Sequence, residues 1–128
     1  MTKSPSGGLS PYYYKGGYFH GIHYGSFFSD ETAFLSIMKE EEAFILKSPQ
    51  RRRIMMDFYE TKLSKRIIEK IIQHIEQLKP RIIKLAISSD KKSLRILKKA
   101  IKRAKVIGKG MVFFSTDMEE GKTWLISD

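Results

Sequence analysis

The chain has 128 residues, of which 41% are hydrophobic and 12% aromatic, so it can bury a single core and does not belong to the disordered class. It contains no cysteine, which excludes disulfide frameworks and thiolate zinc sites. Its net charge is +10, and the segment 79–109 holds twelve lysines or arginines but a single acid, Asp90. A segment this basic favours nucleic acid, an acidic protein or an anionic membrane as partner.

The first residues of the chain predict a tail followed by a hairpin. Residues 1–10 are mostly small or turn-forming, so we expect a flexible tail ahead of one domain at 11–128. They lack the apolar core of a signal peptide, and no later run is long enough to cross a membrane, which indicates a soluble, cytoplasmic protein. Gly16-Gly17 then separates two aromatic runs, which predicts a β-hairpin with strands at 12–15 and 18–24.

The middle of the chain predicts a helix followed by a strand–helix–strand unit. Ser29 is a suitable N-cap for a helix from Asp30 to about Lys47, which Ser48-Pro49 ends. The apolar runs 54–57 and 81–87 read as strands that are covered on both faces. Between them, residues 64–78 repeat isoleucines at a period of 3.6, as an amphipathic helix does. A crossover of this length joins parallel strands.

The last third of the chain continues the alternation of predicted strands and helices. Asp90 is placed to cap a helix from Lys91 to about Lys105, the run 111–114 reads as another buried strand, and Thr116 with Glu119 forms a capping box for a final helix. The resulting order, β-β-α-β-α-β-α-β-α, predicts an α/β fold. We expect a single mixed, mainly parallel sheet of about five strands, with the hairpin at its N-terminal end and four flanking helices.

This pattern resembles the STAS superfamily, and within it the small bacterial SpoIIAA-like (STAS/SEC14-like) proteins. The resemblance covers roughly residues 18–126. The features that carry it are Gly25, the strand Arg53–Asp57 with Leu63-Ser64 after it, the strand Arg81–Ile87, and Val112–Phe114 with the closing helix 117–125. It implies a non-catalytic regulatory module that binds another protein, related to the anti-sigma-factor antagonists.

The resemblance also implies a role for Ser64. Antagonists of this kind carry a phosphorylated serine at the start of the helix after the central strand, and Ser64 matches that position. The partner surface would then comprise Asp57, Lys62, Ser64 and Lys65. Here the serine lies in Lys62-Leu63-Ser64-Lys65, without the neighbouring acid and glycine of the family. From its position alone Ser64 is better explained as an N-cap, because a serine hydroxyl there accepts from free amides of the first turn.

Other polar residues are candidate chemical sites. Asp57 ends the central strand, where open α/β sheets bind ligands. With Glu60 it is a candidate acid–base pair or divalent-ion site, and the alternative is a polar strand end. His20 and His23 have His-x-x-His spacing, but on a strand they point to opposite faces, which disfavours zinc. His74, alone in an amphipathic helix, is expected to be partly exposed. We therefore expect no cofactor, no metal and no enzymatic activity.

The strongest charge feature is the helix after Asp90. Its outward residues form a predicted basic patch or a solvated face: Lys91, Lys92, Arg95, Lys98, Lys99, Lys102 and Arg103. If it binds nucleic acid, affinity must fall with salt, and the aromatics at 12–14, 18 and 19 are candidates for base stacking. The resemblance to STAS/SEC14-like proteins, some of which bind lipids, implies a further alternative, an apolar cavity lined by Phe27, Phe28, Phe34 and Trp124 that holds a lipid or another small ligand. Pairing of an exposed hairpin edge would give a homodimer.

Overall fold

The computed structural model describes residues 2–128 and contains four helices, a five-stranded sheet and a small separate hairpin. The strands are β1 (Thr2–Lys3), β2 (Leu9–Ser10), β3 (Tyr12–Tyr14), β4 (Gly17–His23), β5 (Arg52–Asp57), β6 (Ile82–Ser88) and β7 (Val112–Ser115). The helices are α1 (Glu31–Leu46), α2 (Lys65–Leu78), α3 (Lys91–Ala104) and α4 (Met118–Ile126). No helix within residues 2–128 is long and apolar enough to span a membrane.

The sheet has the order β3-β4-β5-β6-β7 and is mixed, with β3 antiparallel to β4 and the remaining pairs parallel. The predicted α/β class, the five mainly parallel strands and the four helices are therefore confirmed. They could be predicted because each strand of the βαβ units is a short apolar run and each crossover helix carries an apolar stripe.

Two apolar clusters cover the faces of the sheet. The larger one packs α1, α2 and α3 on one face, here called the three-helix face. The smaller one packs α4 on the other face around Phe19, Met55, Ala86 and Leu125. Both faces of β5 and β6 are thereby buried, which explains their continuous apolar sequences.

The predicted tail is wrong for the described part of residues 1–10, while Met1 lies outside the described residues. Strands β1 and β2 pair antiparallel and form the N-terminal hairpin. The hairpin packs on β4, where a Cβ on Gly8 would lie 2.0 Å from the carbonyl oxygen of Gly21. The oxygen Oγ of Ser6 also accepts from the amide of His23 at 3.0 Å. The hairpin is ordered by these contacts with β4 and not by an apolar pattern of its own.

Two predicted caps are also wrong by one residue. Asp30, and not Ser29, caps α1 by accepting from the amide of Ala33 at 3.0 Å. Asp117, and not Thr116, caps α4 by accepting from the amide of Glu119 at 2.9 Å. At both helix starts, two neighbouring residues are of types that can cap a helix. The residue at which the backbone becomes helical decides which of them is the cap.

Candidate functional site

Helix α3 presents its cationic residues to solvent. It begins after Asp90, whose carboxylate accepts from the amide of Ser93 at 2.9 Å, and it buries Leu94, Leu97 and Ile101. All seven residues of the predicted basic patch are exposed. None of the ion pairs among residues 2–128 involves a residue of α3. The positive charge of this helix is therefore not neutralised within the described chain.

A groove runs between α3 and the edge strand β7, and we call it the edge groove. It consists of two adjoining cavities, of about 520 and 250 Å³, which share Lys98 and Phe114. Its floor is apolar and its rim is cationic. The floor contains Leu94, Ile101, Ile107, Val112, Phe113 and Phe114. The rim contains Lys91, Arg95, Lys98, Lys102, Lys105 and Lys109, and no acid among residues 2–128 lines either cavity.

Strand β7 closes one side of the edge groove. It is the last strand of the sheet, so one side pairs with β6 and the other side is open. Val112, Phe113 and Phe114 are half-buried for that reason. The chain reaches β7 after Lys105 ends α3 in a left-handed conformation, with φ of +54°. An open strand edge offers unpaired backbone donors and acceptors, and here these lie next to an apolar floor and free cations.

Ser64 is engaged at the start of α2. Its hydroxyl accepts from the amide of Ile67 at 3.2 Å and donates to Oε2 of Glu31 at 2.8 Å. Glu31 also lies 3.6 Å from Arg66. This is the geometry of an N-cap, and a phosphate on Ser64 would place negative charge beside the carboxylate of Glu31. Lys62 and Lys65, the other residues predicted here, are exposed.

Asp57 lies on the opposite face of the sheet from Ser64, so the predicted partner surface is divided between two places. Its Oδ2 accepts from Nδ1 of His23 at 2.7 Å, and Glu60 does not take part in this contact. The hydrogen bond to Asp57 raises the pKa of His23, although partial burial acts in the other direction. Gly25 makes room for this pair, because a Cβ there would lie 2.7 Å from Oδ1 of Asp57.

Four polar residues form a row at the carboxyl ends of the parallel strands. His23, Asp57, Ser88 and Ser115 are successive register partners across β4, β5, β6 and β7. The hydroxyl of Ser88 is buried and donates to the carbonyl oxygen of Ser115 at 2.8 Å, so it is not placed as a nucleophile next to His23. The row can hold a proton between His23 and Asp57. The sequence singled out Asp57 and His23 separately but not their pairing, because the pairing depends on strand register.

The three histidines occupy three different environments. His20 is buried on the three-helix face, where Nε2 lies 3.3 Å from Oε1 of Glu41. His23 is half-exposed on the other face, so the two do not form a common site. His74 is 2% exposed, and its expected partial exposure is wrong. Its position belongs to the apolar stripe of α2, three residues after Ile71 and one before Ile75.

Glu41 is a buried acid that the sequence did not single out. It lies on the buried stripe of α1, seven residues after Phe34 and four before Ile45. Its Oε2 accepts from the amide of Ser6 at 2.9 Å and also from the Ser6 hydroxyl. Burial by itself would raise the pKa of Glu41, but hydrogen bonds from His20 and Ser6 outweigh burial and lower that pKa. The helical spacing was the available signal for its burial.

The predicted aromatic sites are dispersed. Phe27 and Phe34 pack edge to face at 5.6 Å in the larger cluster, whereas Trp124 stacks on Phe113 at 5.2 Å on the opposite face. Phe28 is 61% exposed. These four residues therefore do not line one cavity.

The tyrosines of the hairpin lie away from the basic helix. Strand β3 is at one edge of the sheet and the edge groove is at the other. Four strand spacings of about 4.8 Å separate the two edges by roughly 19 Å. The aromatics considered for base stacking are therefore not interleaved with the cations of α3.

Comparison with known proteins adds no further assignment. No family model, curated protein or solved structure matches this chain significantly. The resemblance to STAS domains therefore stays a prediction, and the geometry described above is what supports a function.

Proposed function

We propose that this protein is a non-catalytic protein-interaction module whose edge groove takes up an extended, acidic segment of a partner protein. A regulatory role for that interaction is what the resemblance to STAS domains implies. The observation that carries the proposal is the open edge of β7 lying beside the cationic residues of α3.

The backbone of β7 supports binding by strand addition. A segment that pairs with the open side of Val112–Ser115 extends the sheet by one strand and satisfies backbone groups on both partners. In an added strand, alternate side chains point to the same face. One set would lie over the apolar floor of the groove and reach the lysines of α3.

The positive charge of the edge groove determines which kind of partner segment can bind there. Lys98 and Lys102 lie on α3, Lys105 ends it, and Lys109 lies on the turn before β7. Acidic side chains on the added strand would approach these ammonium groups without displacing an internal partner. Each such pair near a surface contributes modestly, but several in a row steer association and select against basic segments.

The apolar floor favours a protein segment over nucleic acid. Ile107, Val112 and Phe114 offer little to a phosphate backbone, whereas apolar side chains of a peptide can bury them. The tyrosines that would stack bases are at the other edge of the sheet. A nucleic acid would contact the lysines alone, so its binding must be dominated by salt-dependent phosphate contacts.

The proposal is tested by calorimetric titration with a peptide that alternates glutamate with valine. A peptide of the same sequence with every backbone amide N-methylated serves as the control, because it keeps the charge but cannot donate the ladder hydrogen bonds. We expect the first peptide to bind at least about tenfold more tightly than the second. Equal affinity for both would mean that charge alone drives binding and would overturn strand addition.

Charge-reversal variants locate the site. The double variant K98E/K102E alters the rim of the groove, and K39E/K70E makes the same charge change at exposed lysines of α1 and α2. We expect the first variant to lose peptide binding and the second to retain it. Equal losses in both variants would contradict the assignment. If a single-stranded oligonucleotide binds more tightly than the peptide, the ligand of the edge groove is nucleic acid and not an acidic protein segment.

A further inference from the structure

A cavity of about 290 Å³ lies between the N-terminal hairpin, β4 and α4, and we call it the hairpin pocket. Its size is close to the lower end of small-molecule sites, which span roughly 300–1,000 Å³. Large apolar side chains form much of its wall: Leu9, Phe19, Met55 and Met118. Three polar side chains also line it: His23, Asp57 and Lys122. A mostly apolar cavity with a few polar groups is the usual form of a site for a small organic ligand.

Gly21 leaves the floor of the hairpin pocket open. It lies inside β4, where a glycine weakens a strand because it has no side chain to pack. A Cβ on Gly21 would meet a single neighbour within 4 Å among residues 2–128, Cε1 of Phe19 at 3.6 Å, which is an ordinary contact. The close approach of the hairpin restricts Gly8, whose Cβ would clash, and places no such restriction on Gly21. The space above Gly21 has room for a side chain, and in this chain it belongs to the pocket.

His23 brings an accessible ring nitrogen to the hairpin pocket. Its side chain is 51% exposed, and Nδ1 lies 2.7 Å from Oδ2 of Asp57. Nε2 has no hydrogen-bond partner within residues 2–128. The hydrogen bond to Asp57 orients the ring and raises the pKa of His23. Because Asp57 holds the proton on Nδ1, the proton that His23 gains near neutral pH goes to Nε2.

Lys122 brings a second cation to the pocket from α4, four residues after Met118. Its Nζ lies 3.4 Å from Oε1 of Glu119. An ammonium group has three N–H donors, so this one contact leaves donors for a further acceptor. The charge of Lys122 acts against Asp57 and lowers the pKa of His23, which shows that the two cations influence each other. An anion bound between them would relieve that repulsion.

We propose that the hairpin pocket binds a small carboxylic acid with an apolar body. The carboxylate would accept from Nε2–H of the His23 imidazolium and from Nζ of Lys122, in charge-assisted hydrogen bonds. The apolar body would lie over Gly21 and against the thioethers of Met55 and Met118, which adapt to the shape of a ligand. This site is independent of the edge groove, and its ligand is a small molecule and not a protein segment.

The protonation of His23 makes this binding depend on pH. The charged groups that act on His23 are Asp57 on β5, Glu41 on α1 and Lys122 on α4. The hairpin contributes residues 7–9 to the pocket, and these carry no charged side chain. Of these residue types, histidine is the one that changes its charge near neutral pH. Neutral His23 donates Nδ1–H to Asp57 and presents a lone pair at Nε2, so affinity for a carboxylate falls as the pH rises through the raised pKa.

The test is NMR titration of the full chain with phenylacetate, and with phenylacetamide as the uncharged analogue. The variant G21V fills the floor of the pocket, and G110V is the matched control, because a Cβ on Gly110 would meet no atom within 4 Å. We expect phenylacetate to bind the unaltered chain and G110V alike, and G21V at least about tenfold more weakly. Binding should also be weaker at about pH 8.5 than at about pH 5.5, where a carboxylic acid of ordinary pKa is already ionised. Equal affinity for phenylacetamide would mean that apolar contact alone drives binding and would overturn the carboxylate assignment.

Side-chain signals of the unaltered protein give a readout that does not depend on the stability of G21V. Phenylacetate should shift the ring resonances of His23 and the methyl resonance of Met118. The signals of His74 and Met38, which are buried on the three-helix face, should stay in place. Absence of a shift at His23, or equal affinity in G21V and G110V, would refute the site. The variant K98E/K102E should bind phenylacetate normally, so failure of the edge groove and failure of the hairpin pocket are distinguishable.

Discussion

At the scale of single residues, the core contains a hydrogen-bonded chain of three side chains, Tyr24, His74 and Glu42. Tyr24 and His74 are both almost completely buried, and the hydroxyl of Tyr24 donates to Nε2 of His74 at 2.7 Å. Nδ1 of His74 donates to Oε2 of Glu42 at 2.8 Å. Burial lowers the pKa of His74, with Glu42 opposing it, so the neutral ring is the form that fits both bonds. The Tyr24–His74 bond joins the residue after β4 to α2, and the His74–Glu42 bond joins α2 to α1.

His23 gives a prediction of pH dependence. Its pKa is raised above 6.5 in the folded state by Asp57, so the folded protein holds this proton more tightly than the unfolded chain. The stabilisation is complete below the unfolded pKa and is lost as the pH rises through the raised pKa. The variant H23Q should therefore destabilise the protein more at about pH 5.5 than at about pH 8.5.

The measurement is urea unfolding of both proteins across this range. We expect a difference of less than about 1 kcal/mol, because His23 is half-exposed and its ion pair is screened. His74 contributes with the opposite sign, losing stability as the pH falls below 6.5, but it is common to both proteins and cancels in the comparison. A destabilisation independent of pH would contradict the prediction, because protonation of His23 would then make no difference to stability in this range.

Residue-scale prediction from the sequence was limited by tertiary contacts. Ser64 and Asp90 could be predicted as caps because a cap is decided within four residues of chain. The partner of Asp57 depends on strand register, and the hydrogen-bond partners of Glu41, Ser6 and His20, lie far away in the sequence. Local patterns carry no information about such contacts.

At the scale of elements, the N-terminal hairpin is the piece most dependent on its neighbour. Its two strands have two residues each, so their own pairing is too short to be stable alone. Contact with β4 at Gly8 and Gly21 supplies the remaining stabilisation. The sequence did not reveal the hairpin for the same reason, since neither strand is long enough to show alternation.

The variant G8A tests this dependence. A Cβ at this position has no room against the backbone of Gly21, so the hairpin must move away from β4. We expect a loss of roughly 1–3 kcal/mol in the free energy of unfolding. Hydrogen exchange at the amide of His23 should also accelerate, because that amide donates to Ser6 of the hairpin.

The matched control for this prediction is G110A. A Cβ on Gly110 would meet no atom within 4 Å, and the φ of this glycine is not positive, so alanine is accommodated there. If G8A and G110A unfold at the same denaturant concentration and show the same exchange at His23, the hairpin does not depend on this contact.

At the scale of the whole molecule, the sheet has two edges of different character. Strand β7 lies beside the lysines of α3, whereas β3 carries exposed tyrosines, with Tyr13 59% exposed and Tyr18 on the adjacent strand 57% exposed. The order of elements along the chain could predict the class of this fold, because alternating strands and helices build parallel units. Which strands lie at the two edges is known only from the order of the strands in the assembled sheet.

Homodimerisation through β3 stays a prediction. Pairing of two β3 strands would cover Tyr12 and Tyr13 and would use the open side of that edge. Sedimentation equilibrium at high protein concentration measures it, and the variant Y13K should shift the protein to monomer by placing like charges opposite each other. A monomer mass for the unaltered chain under the same conditions would contradict the prediction.

The stacking of Trp124 on Phe113 has a practical consequence for spectroscopy. The chain has a single tryptophan, and its ring lies 5.2 Å from the ring of a residue in β7, with the ammonium of Lys84 4.6 Å away. Tryptophan emission therefore originates from one defined location, next to the strand edge to which we assign the partner. The native protein thus carries its own optical probe at that location and needs no attached dye.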